Sequence, residues 1–268
     1  MAITTFEQIY AGVVQQLNFS TTAASASTAA TPVLNWIRTG AFGTGTVGSS
    51  LSGSLRDSTS SGAVPYVSPA TGQDTYLSRF NHGSNSVTTG KSVYIIDLLW
   101  ITSAVAQNLT TQTISSVTLP SRDADGTTAG RGVYIAMLHT TAYTSGAPYT
   151  ATITYTNSAN SNSRVGAVSE NGGTINRWVP FGVASGDEGV RSVQNFAFSA
   201  LPGTGGVTVL LAYRPIAVIS SNYGGGEARI SETAFTLGLP QLYDGTCLTT
   251  VNAAGSDEVS MTYTFSQG

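Results

Sequence analysis

From Ser92 to Phe265 the chain is a succession of short β-patterned segments separated by turn chemistry, with no helical pattern between them. The segments are Ser92–Ser103, Thr113–Leu119, Gly132–Thr140, Tyr149–Thr156, Ile175–Val183, Val190–Ser199, Val207–Tyr213, Ile216–Ser220, Glu227–Leu237 and Val259–Phe265. Asp125-Gly126, Asn171-Gly172-Gly173, Pro202-Gly203 and Asp244-Gly245 punctuate them, each a dipeptide or tripeptide suited to a tight turn. In Thr150–Thr156 the threonines alternate with Ala151, Ile153 and Tyr155, the period of a half-buried strand. Parallel βαβ units need an amphipathic helix between strands, and none is present. So many consecutive strands predict an all-β, jelly-roll-like β-sandwich. No fixed-period repeat is visible.

The charge content narrows the partners. Asp, Glu, Lys and Arg make up 9% of the chain, against about 25% in ordinary soluble domains. Hydrophobic residues are 41%, so the low charge does not signal disorder. The net charge is −3, Lys91 is the single lysine, and the arginines are scattered. A nucleic-acid partner needs a clustered basic face, so none is expected. No run of 18 apolar residues exists and the N-terminus lacks a basic start with an apolar core, so neither a membrane span nor a signal peptide is expected. Cys247 stands alone, which leaves no internal disulfide. Such a surface, covered by Ser, Thr, Asn and Gly, suits close subunit contact because few ions need desolvating.

The N-terminal region reads differently. Phe6, Ile9, Tyr10, Val13, Val14 and Leu17 form one apolar stripe at helical spacing, and Thr4 with Glu7 has capping-box spacing. The stripe predicts a helix that packs on its own domain or docks on a neighbouring subunit. With Trp36 these six residues are the candidate partner-binding set. Ser20–Thr31 offers little to bury, and Gly40–Gly62 is rich in Gly, Ser and Thr. The reading is therefore an N-terminal helix and extended arm over 1–75, followed by the β-sandwich domain over 76–268. On this reading residues 1–62 serve binding and the β-domain folds without them.

Chemistry-bearing constellations are sparse. Two histidines, His82 in a polar turn and His139 at a strand end, and one cysteine cannot build a Cys/His zinc site. No G-x-S-x-G elbow occurs. A hydrolase would have to use His139 or one of the acidic pairs Asp123/Asp125, Asp187-Glu188 and Asp257-Glu258. Asp123-Ala124-Asp125-Gly126 has the opening of a calcium loop but lacks the closing Glu, so a turn is the better reading and a single Ca²⁺ the alternative. Gly43–Gly48 matches G-x-G-x-x-G without opening a helix, and Gly90-Lys91-Ser92 leads into a strand. No catalytic, cofactor or metal residue is assigned. Trp100 reads as core, whereas Trp178, beside Arg177 and Pro180, suits either core or surface.

Four segments carry a resemblance: Leu119–Gly126 (LPSRDADG), Ile153–Ser158 (ITYTNS), Gly186–Val193 (GDEGVRSV) and Leu239–Thr246 (LPQLYDGT). In this order and spacing they resemble a group of tailed-bacteriophage virion proteins, over roughly residues 76–266. The group's compact TNSAGTAGRT reads TNSANSNSR here, a departure confined to the loop before Arg164. The resemblance implies a head-associated structural component, a capsid cement or decoration protein without an active site. The implied partner is the major capsid protein, the implied state a homotrimer, and the implied location the capsid surface after synthesis in the bacterial cytoplasm. The alternative is a tail or fibre component whose sandwich binds a host glycan through aromatic residues.

Overall fold

The computed structural model describes residues 3, 6–21, 33–34, 44–84, 91–143, 148–171, 173, 175–221, 230–233, 240–252 and 259–268. One short helix, α1 (Phe6–Ala11), precedes the strands β1 (Val13–Thr21), β2 (Val33–Leu34), β3 (Ser54–Leu55), β4 (Thr75–Ser84) and β5 (Lys91–Ile101). Then come β6 (Gln112–Thr113), β7 (Tyr134–Thr141), β8 (Pro148–Asn157), β9 (Arg164–Asn171), β10 (Trp178–Pro180) and β11 (Val190–Phe198). The rest are β12 (Val207–Ser221), β13 (Ile230–Thr233), β14 (Gln241–Leu242), β15 (Leu248–Asn252) and β16 (Val259–Gln267).

Strands β5 to β12 form two antiparallel sheets in the orders β10-β7-β12-β5 and β6-β11-β8-β9. Eight successive strands dealt between two sheets in this order make a jelly roll. The core between them holds Leu99, Trp100, Ile135, Met137, Ile153, Tyr155, Phe196 and Leu210. Alternation builds it: in β8, Ala151, Ile153 and Tyr155 point inward while Thr150, Thr152 and Thr154 are half-buried on the other face. Outside this unit, β15 and β2 continue the first sheet beyond β5, and β3 also pairs with β5.

A third sheet has the order β1-β16-β4-β13, with β14 also on β4. Its inner face contributes Leu77, Phe80, Tyr263 and Phe265, which pack on Val93, Ile95, Ile219 and Leu248 of the first sheet. The first sheet is therefore shared. Along β5, Val93 and Ile95 belong to the core under the third sheet and Leu99 to the jelly-roll core, while Ile96 and Leu98 bury on the opposite face. The length of β12 (15 residues) lets it reach across both cores.

The N-terminal helix is half the expected length. It stops at Ala11, and the chain enters β1, which pairs with β16 from Val13 opposite Ser266 to Thr21 opposite Val259. Gly12 makes the break. A Cβ there would lie 2.3 Å from the carbonyl oxygen of Gln267, whose amide donates to the Gly12 oxygen at 2.8 Å. Beyond it, Val13 and Val14 are β-branched and Leu17–Ser20 alternates apolar with polar, and pairing with β16 overrides the helical spacing.

The Gly/Ser-rich stretch also differs from the expectation over its described part. The backbone of Arg56 bonds that of Leu99 and Val64 that of Leu248, and Ala63, Val64 and Tyr66 are buried. Residues 44–67 are laid along the sheets, with Tyr66 donating to the Tyr243 oxygen at 2.6 Å. Residues 22–32 and 35–43 of the expected arm, and the Asp257-Glu258 pair, lie outside the described residues.

Candidate functional site

Three jelly-roll connections meet at one end of the body: the β6–β7, β8–β9 and β10–β11 loops. The amide of Gly132 donates to the Glu188 oxygen at 2.7 Å, and that of Ser158 to the Gly189 oxygen at 3.1 Å. Gly130 and Gly189 press together, where a Cβ on Gly189 (φ +153°) would lie 2.2 Å from the Gly130 oxygen. Tyr243, in the loop between β14 and β15, donates to the Ala124 oxygen at 3.3 Å. The described parts of the four segments that carried the sequence resemblance thus meet at this end.

Two carboxylates organise the three jelly-roll loops. Asp123, 1% exposed, accepts from the amides of Asp125, Thr127, Gly130 and Arg131 and from the Thr127 hydroxyl. Burial opposes its charge, but these donors outweigh it and hold the carboxyl below its usual range. Both oxygens face donors, so the segment is a tied turn, with Gly126 at φ +71° as the sequence implied. Asp125 pairs instead with exposed Arg131. Asp187 takes the Tyr155 hydroxyl at 2.5 Å, the Asn157 amide at 2.7 Å and Arg164 Nε at 3.0 Å. Arg164 foremost, then Tyr155, brings it down to about 2. Among the described residues no group of three His, Cys, Asp or Glu side chains is placed to hold a metal ion.

A further charge cluster lies where the two cores adjoin. Asp97, in the most apolar strand, is fully buried. It accepts from the Cys247 amide at 2.9 Å and faces Arg122 at 3.5 Å and Arg214 at 3.8 Å. Burial pushes its pKa up against the pull of both arginines. Sequence reasoning missed this cluster, although a lone carboxylate inside SVYIIDLLWITS is the signal that finds it, because a buried charge demands partners.

The candidate partner-binding residues separate. Ile9 is buried with Ile3 and Tyr76. Tyr10, Val13 and Val14 are 65%, 43% and 44% exposed. Tyr10 and Val13 border a groove of about 190 Å³ with Gln16, Ser78, Arg79 and Thr264. Leu17 turns to the opposite face of β1 and packs on the core of the third sheet, which follows from the register shift between Val13 and Gln15. Phe6 lies in α1, and Trp36 lies outside the described residues.

The remaining chemical candidates are interior. His139 is fully buried, its Nδ1 2.8 Å from Thr208 Oγ1 and its Nε2 3.3 Å from the Tyr149 hydroxyl. Burial first, then the charge of Arg177, lowers it to about 4, so it is neutral at pH 7. His82 is in β4, opposite Met261 of β16, and not in a turn. Trp100 is core, as expected. Trp178 is 6% exposed and stacks edge-on against Tyr213, which removes the main aromatic of the glycan-binding alternative from the surface.

No protein-family model matches the sequence, and no curated protein matches it. Among solved structures, that of the infectious bursal disease virus Gt strain is similar at 10% identity and a TM-score of 0.21, over 96% of this chain and 81% of that one. The crystal structure of the infectious bursal disease virus VP2 subviral particle gives 10% identity and a TM-score of 0.20, over 95% and 81%. Likenesses this low assign neither fold nor function. The jelly roll is assigned by strand order alone.

Proposed function

We propose that this chain is a non-enzymatic structural protein of a phage virion: a cement or decoration protein on the head that binds across major capsid protein subunits as a homotrimer. The observation that carries the reading is strand β1, which among the described residues is the edge of the third sheet. It pairs with β16 on one side, holds no charged residue between Val13 and Thr21, and leads in from exposed Tyr10, Val13 and Val14. Natural edge strands are commonly blunted by charge or proline, and an uncharged edge entered by exposed apolar side chains suits burial against another chain. The sequence resemblance points the same way, and jelly rolls recur in capsid proteins, although also in lectins and cupins. At the loop end the carboxylates are engaged by internal donors, which suits a rigid contact surface.

A reconstruction of the particle that contains this chain tests the reading. Density at three-fold or quasi-three-fold positions of the head is the expected result. Density on the tail or a fibre overturns it. In a decoration assay, the double substitution Val13→Glu, Val14→Glu is expected to lower capsid occupancy about tenfold or more, with an unchanged circular-dichroism spectrum. Undiminished occupancy moves the contact away from β1.

A further inference from the structure

Arg214 stands at a gap in the central sheet. β7 begins at Tyr134, opposite Tyr213, and β12 continues through Arg214, Pro215 and Ile216 with no β7 beside it. The pairing of β12 with β5 shifts register between Pro215 and Ala217. Pro215 has no amide proton to give to a neighbouring strand. The gap is an open groove of about 390 Å³, bordered by Ala124, Tyr134, Arg214, Pro215, Ile216 and Pro240.

The floor of this groove is cationic. The Arg214 side chain is only 9% exposed. Its guanidinium lies 4.9 Å from the centre of the Tyr243 ring and donates through Nη2 to the Gln241 oxygen at 3.2 Å. Its Nε has no hydrogen-bond partner. Among the described residues Asp97 is the one carboxylate within 4.0 Å of both Arg122 and Arg214, and Nε and Nη1 of Arg122 also have no hydrogen-bond partner. Asp123 lies near but is engaged by amide and hydroxyl donors. Two buried guanidiniums therefore share one carboxylate, an arrangement that a second anion would relieve.

We propose that this groove takes a glutamate or aspartate side chain from an acidic segment of a partner protein. Its carboxylate would pair with the Arg214 guanidinium, and its aliphatic part would lie against Tyr134, Pro215, Ile216 and Pro240. Charge complementarity selects the carboxylate, since a planar fork of N–H donors matches its two oxygens. The open shape selects a side chain carried on a longer segment, because sites for free small molecules enclose most of their ligand. This inference does not depend on the virion reading.

The test is a titration of the full chain, followed by NMR of arginine Nε–H groups, with acetyl-glutamate N-methylamide, whose only carboxylate is the side chain. The expected result is saturable movement of the Arg214 signal that acetyl-glutamine N-methylamide does not produce. Arg214→Lys, which keeps the charge and loses the fork, is expected to weaken binding about tenfold or more in a calorimetric titration with the same ligand. Should that variant fail to fold, Ile216→Trp fills the groove and is expected to abolish the response while the Arg214 signal persists. An unmoved signal, or an equal response to the glutamine analogue, overturns the proposal. An equal response to inorganic phosphate makes the groove a general anion site and also overturns it. Tighter binding of acetyl-alanine, whose carboxylate is at the chain end, overturns the side-chain assignment.

Discussion

Acidification from about pH 7 to 5 should weaken this fold through His139. The imidazole sits in a closed shell: Thr208 on Nδ1, Tyr149 on Nε2, the Tyr143 ring edge-on at 5.3 Å, and Arg177 as the nearby charge. Gly173 closes the shell, since a Cβ there would lie 2.6 Å from His139 Cδ2. Nothing in that shell rewards protonation, and the folded-state value falls from 6.5 to about 4. The fold therefore favours the neutral form. Its contribution is complete above pH 6.5 and is lost as pH falls from there through 4. At about pH 5 the unfolded chain carries the proton and the folded chain mostly does not, which removes about 2 kcal/mol of stability. For a chain of this size that is a fall in melting temperature of about 4 °C. Urea unfolding followed by tryptophan fluorescence, at several pH values across this interval, measures it. His139→Gln is expected to flatten the dependence whatever its own stability. An equal loss of stability in wild type and His139→Gln would refute the reasoning.

Other consequences are equally open to measurement. Asp123→Ala strips five donors of their acceptor and is expected to cost about 3 kcal/mol or more, with new protease cleavage in the β6–β7 loop. Gly189→Ala places a Cβ against the Gly130 oxygen at a positive φ, and a loss of about 2 kcal/mol or more is expected in denaturant unfolding. Carbon-detected NMR should place the Asp187 titration at about 2, so the stability it lends is present above the ordinary 3.8 and lost as pH falls through 2. Deleting residues 1–21 removes one of the two strands that flank β16, and the expected outcome is a lower melting temperature and dye binding to the exposed third sheet, where a separable arm would leave both unchanged.

Strand patterning made much of the jelly roll legible: β5, β7, β8 and β11 coincide to within a residue or so with segments marked by their own side chains, and β12 joins two such segments. Elsewhere local chemistry misled. Asn81-His82-Gly83 has turn composition, yet it lies inside β4, where pairing on both sides outweighs it. Pro215 reads as a break between two strands, and in the structure it is a bulge within one. β15 is invisible because all five of its residues are buried, including Thr249 and Thr250, so it does not alternate. The apolar stripe from Phe6 to Leu17 satisfied a helical period, but Gly12 divides it: Ile9, Tyr10 and Val13 remain neighbours, while Leu17 packs on the other face of the sheet. The Asp97–Arg122–Arg214 cluster joins residues far apart in the chain, and no local pattern can show such a meeting.

The position of β16 between β1 and β4 sets a timetable for synthesis. β1 leaves the ribosome early, and the strand that pairs with it is made more than two hundred residues later. At ordinary elongation rates that is a wait of roughly 10–50 s. During it, an uncharged strand with exposed valines has no native neighbour, while the jelly-roll strands from β5 to β12 already have theirs. The third sheet is the last layer to close. Its closure commits the outer surface that carries Tyr10, Val13 and Val14, so that surface does not exist in a nascent chain until β16 has slotted into place.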